Sequence, residues 1–108
     1  MRDHLRKMAV DGELHPDVVA IGPFWTANGG NEIDALVLAG RAHAPVLAAE
    51  AKWTKEVSAP RIAARLERKL AALPGRPSDV ELAICAREQV HDLPSGMRAI
   101  TAADIYAP

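Results

Sequence analysis

Cysteine is almost absent: Cys85 is the single one in 108 residues. An internal disulfide is therefore excluded, and a reducing compartment fits. Cys85 sits in the apolar run Val80-Glu81-Leu82-Ala83-Ile84-Cys85-Ala86, so a small buried core residue is expected there rather than a nucleophile. Aromatic residues are scarce at 4%, and alanine is used heavily instead. Small side chains let helices sit close to a sheet, which predicts a thin, tightly packed core. No apolar run approaches the ~20 residues that span a bilayer. The start, Met1-Arg2-Asp3-His4-Leu5-Arg6-Lys7, lacks the apolar stretch of a signal peptide, so a cytoplasmic location is expected. Neither sign of charge dominates, because the formal net charge is -1. A strongly basic chain would point directly to nucleic acid. Here such contact has to come from a local patch. There is no G-x-x-x-x-G-K-[ST] loop, hence no nucleotide-cradling loop of that kind. The four histidines, His4, His15, His43 and His91, fall on termini and loops with no pair at ligand spacing, which gives zinc no site. Ser58 and Ser95 have no evident histidine partner for serine hydrolase chemistry.

What is present is an ordinary globular composition, 49% hydrophobic and 25% charged, in a length suited to one domain over 1–108. Arg2 to Val10 reads as a short helix, with Leu5, Met8 and Ala9 at helical spacing and Asp11-Gly12 ending it. A helix beginning so near the first residue suggests a chain cut from something longer. Val18-Val19-Ala20-Ile21-Gly22 reads as a strand, continued as a sheet edge by Pro23-Phe24-Trp25-Thr26 because proline cannot serve inside a ladder. A turn at Ala27-Asn28-Gly29-Gly30-Asn31 leads to a second strand, Glu32 to Leu38, and Ala39 to Ala44 turns into a third, Pro45 to Trp53. Short connections favour an antiparallel meander. Ser58-Ala59-Pro60 opens a helix, with Ser58 as cap and proline in the first turn. Ile62, Leu66, Leu70 and Leu73 form its apolar stripe, and Pro74-Gly75 stops it. Val80 to Ala86 is a strand apolar on both faces. Arg98 to Thr101 is a last short strand, and Ala102 to Tyr106 a closing helical turn. The order α-β-β-β-α-β-β is an α+β sandwich, a mixed sheet of about four or five strands flanked by helices.

Charges inside otherwise apolar strands carry the chemical information. Asp34 is flanked by Ile33 and by Ala35-Leu36-Val37-Leu38; Glu50 and Lys52 follow Val46-Leu47-Ala48-Ala49. Strand alternation puts Glu50 and Lys52 on one face, and Glu32 and Asp34 likewise share a face. In a hairpin the two charged pairs lie side by side. Unpaired burial is costly, so such groups pair, meet water or bind a metal. Two close carboxylates repel, and a divalent cation removes the conflict. Oxygen donors alone suit Mg²⁺ or Mn²⁺. Lys52 beside the metal can orient a water and stabilise charge on a phosphate, which equips the site for metal-assisted phosphodiester hydrolysis. The alternative is a cross-strand salt bridge among Asp34, Glu50 and Lys52 with no catalytic role. Arg61, Arg65, Arg68 and Lys69, set against Glu67 alone, make the second helix basic. Such a face contacts phosphates or is simply solvated.

Three blocks, Gly22-Pro23-Phe24-Trp25, Asn31-Glu32-Ile33-Asp34-Ala35-Leu36-Val37 and Ala49-Glu50-Ala51-Lys52-Trp53, resemble the C-terminal domain of archaeal-type AAA-class ATPases. That domain is a branch of the PD-(D/E)XK nuclease superfamily. The likeness runs from Leu5 through Tyr106. It implies a restriction-endonuclease-like core, with Asp34 and Glu50 as metal ligands and Lys52 beside them; Glu32, on the same face as Asp34, is expected to support the site from behind. It also implies DNA as partner and an ATPase module in the same or a longer chain. Superfamily members often add an acidic residue from the first helix; here the nearest is Asp3. Small nuclease-like domains often work in pairs, so a homodimer is one expected state. The rival expectation is a module without catalysis, binding DNA or docking on a protein, whose charged triad is vestigial. Trp53 and Trp25 are expected to pack, under a helix and at a core or edge position respectively, rather than to stack on bases.

Overall fold

A computed structural model describes residues 1–25, 32–73 and 79–106; the turn expected at 27–31 and the helix stop expected at 74–75 lie outside them. Helix α1 spans Arg2–Val10 and buries Leu5 and Met8. It ends at Asp11, and Gly12 follows at φ +77°, a left-handed conformation that glycine adopts without a Cβ penalty. The strands β1 (Val18–Trp25), β2 (Glu32–Ala39) and β3 (Ala44–Lys52) form the antiparallel meander. Between β2 and β3 the chain turns through Gly40 at φ +73° and His43 at φ 51°. A short β4 (Glu56–Ser58) leads directly into helix α2 (Ala59–Ala71). Then come β5 (Glu81–Ala86), β6 (Gln89–His91), β7 (Arg98–Ile100) and the four-residue helix α3 (Ala102–Ile105).

The five-stranded sheet runs β1-β2-β3-β5-β7 and is mixed, because β5 pairs parallel to both β3 and β7. A parallel pair requires a crossover, and α2 supplies it. One face carries Ile33, Leu36, Ala48 and Ile84 against Ile62, Leu66 and Leu70 of α2. The other carries Ala35, Val37, Leu47, Ala49 and Cys85 against Leu5 and Met8 of α1. Ala35, Ala48, Ala49 and Ala83 are wholly buried, so both helices approach the sheet over alanine, as a core poor in aromatics requires. The chain is an α+β sandwich. Strand β1 lies at the sheet edge, where two register irregularities and a bond from Arg6 Nη2 to the Ile21 carbonyl (3.3 Å) interrupt it. Such interruptions blunt an edge against unwanted pairing.

Two features depart from the expected order. Strands β4 and β6 form their own two-stranded parallel sheet. Each is three residues long, too short for alternation to register. Ser58 occupies the N-cap position of α2, yet its side chain makes no capping bond. Its backbone belongs to β4, which holds it extended.

Candidate functional site

The site begins where β2 and β3 part. Their ladder ends at the pair Ala35 and Ala49, whereas β3 continues against β5 as far as Lys52 opposite Ala86. From Glu50 onward, the side of β3 that faced β2 is therefore open. Asp34 fills the opening: its Oδ2 accepts a hydrogen bond from the Ala51 amide at 2.9 Å. A carboxylate here replaces a strand carbonyl, so no ladder donor is orphaned.

An irregularity in β2 sets the position of Asp34. Gly22 pairs with Leu36 and Phe24 with Ile33, so three steps on β2 match two on β1. This is the count of a β-bulge. It breaks the alternation: Ile33 packs on the α2 face and Ala35 on the α1 face, although two residues apart. Asp34 and Glu32 consequently border a hollow with Pro23, Ala51 and the start of α1, at Met1 and Arg2.

Glu50 points the other way. It is the one buried charged residue among those described, at 7% exposure. Arg65 Nε donates to Glu50 Oε1 at 3.1 Å, and Arg65 Nη2 closes on Oε2. Lys69 Nζ adds a bond to Oε1 at 3.4 Å. Arg65 and Lys69 are four residues apart, so one face of α2 brings both cations to the same carboxylate. An isolated carboxylate at this depth would be costly, and the two-pronged guanidinium offsets that cost. Lys52 shares the α2 side with Glu50, as alternation requires. It is exposed and lines a second hollow with Arg61 and Arg65. Arg61 and Arg68 are exposed along α2.

Glu50 and Lys52 share a face, and Glu32 and Asp34 share a hollow. Asp34 and Glu32 border one hollow and Lys52 another, while Glu50 is held by Arg65 and Lys69 of α2. The basic face of α2 is likewise divided: Arg65 and Lys69 turn inward to Glu50, while Arg61 and Arg68 face out. Asp3 is not a third site carboxylate. It pairs with Arg6 at 2.7 Å and is fully open to solvent. Among the described residues no group of three or more Asp, Glu, His or Cys stands ready to hold a metal ion.

Cys85 is buried, as expected, and burial pushes its thiol above the ordinary range; Asp104 adds to the rise and the chain's amino terminus opposes it. Both tryptophans depart from expectation. Trp25 is 61% exposed at the end of β1, and Trp53 is 48% exposed one residue past β3. The Glu50–Arg65–Lys69 cluster was missed in the sequence. Its signal was there: a glutamate in an apolar strand, and two cations four apart on the margin of the Ile62, Leu66, Leu70 stripe.

No helix among the described residues is long and apolar enough to cross a membrane. No curated protein and no solved structure matches the chain. One family model does match, over residues 1–64, that of DUF234, described as archaeal and bacterial proteins of unknown function. The matched region is more than half the chain and holds Glu32, Asp34, Glu50, Lys52 and Arg61, leaving Arg65, Arg68 and Lys69 beyond it. The chain belongs to the DUF234 family.

Proposed function

We propose that this DUF234 chain is a nuclease-like domain of the PD-(D/E)XK type. In this reading it binds a DNA backbone where β2 and β3 part and, with Mg²⁺ or Mn²⁺, hydrolyses a phosphodiester there. The observation that carries the reading is the opening itself. Asp34 fills it from β2, Glu50 and Lys52 leave it along β3, and the basic helix α2 borders it. The mixed sheet between two helices supports it as a scaffold.

The donor set fits a hard divalent cation in chemistry, since Asp34 and Glu50 offer carboxylate oxygens and no soft ligand intervenes. Asp34 and Glu50 would hold the ion, which when bound supplies Lewis-acid stabilisation of charge on the phosphate. Ligation by both requires Glu50 to leave Arg65 and Lys69. Lys52 would orient the attacking water and stabilise developing charge. Glu32 would support Asp34 from the same hollow. Arg61, Arg65, Arg68 and Lys69 would meet the phosphates on either side. A cytoplasmic setting, attachment to an AAA-class ATPase module and pairing of two copies complete the reading; each rests on the resemblance or the composition.

One observation favours a second reading. The closure of Glu50 by two cations is what a purely structural carboxylate would show, and the domain would then bind DNA or a partner protein without cutting. Nicking of supercoiled plasmid separates the two. In Mg²⁺ or Mn²⁺ the wild type is expected to nick, and Asp34→Ala and Lys52→Ala are expected to fail while still folded. No nicking by folded wild type, with DNA binding retained, would leave the second reading.

A further inference from the structure

The hollow between the end of β3 and the first turn of α2 is biased toward positive charge. It measures about 340 Å³ and is lined by Lys52, Arg61 and Arg65, with the hydroxyls of Thr54 and Ser58 and the carboxylate of Glu56. Three cations therefore face one acid. Glu56 Oε1 lies 3.8 Å from His91 Nε2. Arg65 gives part of its charge to Glu50, while neither Lys52 nor Arg61 has an ion-pair partner among the described residues. The Ser58 side chain is not used in capping α2. By contrast, the larger hollow of about 720 Å³ between α1 and β7 sets His4, Lys7 and Arg98 against Asp11, Glu13 and Asp104, which selects no sign of charge.

We infer that this hollow is a phosphate subsite. Two guanidinium forks and an ammonium suit a tetrahedral dianion: the forks set direction, and the lysine acts as a point charge. The hydroxyl of Ser58 can donate to a remaining phosphate oxygen, whereas that of Thr54 already donates to the Glu56 carbonyl at 3.1 Å. A volume at the small end of ligand pockets suits one phosphate with its sugar rather than a whole nucleotide chain. Arg65 joins this subsite to Glu50. A phosphate that engages Arg65 competes with Glu50 for the same guanidinium, so occupancy of the hollow loosens Glu50. By linkage, any cation that draws Glu50 away frees Arg65 for the phosphate. The nature of the ligand rests on the nucleic-acid reading above; the existence of an anion subsite does not.

The test is a titration of the full chain with inorganic phosphate, without metal, followed by backbone amide shifts. Arg61→Gln probes the hollow, and Arg41→Gln, an exposed cation in the turn between β2 and β3 and outside the hollow, is the control. Shifts are expected to cluster at Lys52, Thr54, Ser58, Arg61 and Arg65, with affinity reduced about tenfold in Arg61→Gln and unchanged in Arg41→Gln. Absence of shifts, shifts spread evenly along α2, or equal loss in both variants would overturn the subsite. Single-stranded oligonucleotides with and without a 5′-phosphate then separate the two sources. A preference for the phosphorylated form that Arg61→Gln abolishes identifies a terminal phosphate. Equal binding of both forms, weakened by Arg61→Gln, identifies a backbone phosphodiester. Because no metal or cleavage enters, the outcomes part cleanly. Phosphate binding without nicking removes hydrolysis and keeps the subsite, and nicking without phosphate binding here does the reverse.

Discussion

Arg65 sets Nε and Nη2 of its guanidinium on the two carboxylate oxygens of Glu50, fifteen residues earlier in the chain, and so ties α2 to the end of β3. The pair is asymmetric in burial: the glutamate side chain is 9% exposed and the arginine 35%. Removing the arginine leaves a buried carboxylate with Lys69 alone. Loss of a partner from a fully buried pair costs about 3–5 kcal/mol. The partly exposed guanidinium and the second cation reduce that here to about 1–3 kcal/mol. Arg65→Ala should therefore lower the urea midpoint clearly, Lys69→Ala less, and Arg68→Ala within about 0.5 kcal/mol of no change. Equal effects of all three would contradict the geometry.

Asp34 predicts a local effect on one amide. The Ala51 N–H is held by Asp34 Oδ2 rather than by a strand carbonyl. Asparagine keeps an acceptor at that place and alanine does not. Hydrogen exchange at Ala51 should stay slow in Asp34→Asn and quicken in Asp34→Ala, with a stability difference of about 1 kcal/mol between them. Unchanged protection in Asp34→Ala would mean that the bond is not formed.

The α2 face of the core sets the largest stability effects. Leu66 and Ile84 are both fully buried and belong to the same cluster. Leu66→Ala should cost about 2–5 kcal/mol and Ile84→Val about 0.5–1.5 kcal/mol. Denaturant melts of the two variants check the order.

Cys85 gives the pH dependence a sign. Burial raises its thiol above the ordinary value, which is about 8.5 in an unfolded chain. Between the unfolded and folded values the native state holds a proton that the unfolded state has lost. Its contribution to stability is full below the unfolded value and is lost as pH rises through the folded one. Wild type should thus lose stability above about pH 8.5 faster than Cys85→Ala does. At neutral pH the native thiol should react slowly with thiol reagents and quickly once unfolded. Parallel pH curves for the two proteins would contradict this.

Much of the scaffold was legible because periodicity is local. Leu5 and Met8 marked α1, and Ile62, Leu66 and Leu70 marked α2. The apolar stretch ending at Ala86 marked a strand covered on both faces. The site was legible in its residues and not in its arrangement. Nothing in Ile33-Asp34-Ala35-Leu36 announces an extra residue, because alanine and leucine suit either face, yet that residue sends Ile33 and Ala35 to opposite faces of the sheet. Which cations of α2 meet the sheet depends on the rotation of the helix, fixed by the packing of Leu66 and Leu70. The exposure of Trp25 and Trp53 depends on where the cover of neighbouring elements ends, which no local pattern records.

Calorimetric titration with Mn²⁺ tests the metal-dependent reading most directly, on the wild type and on Asp34→Ala with both shown to be folded. One ion should bind the wild type, and binding should vanish in Asp34→Ala. No binding to the wild type, or equal binding to both proteins, would contradict a metal site built on Asp34.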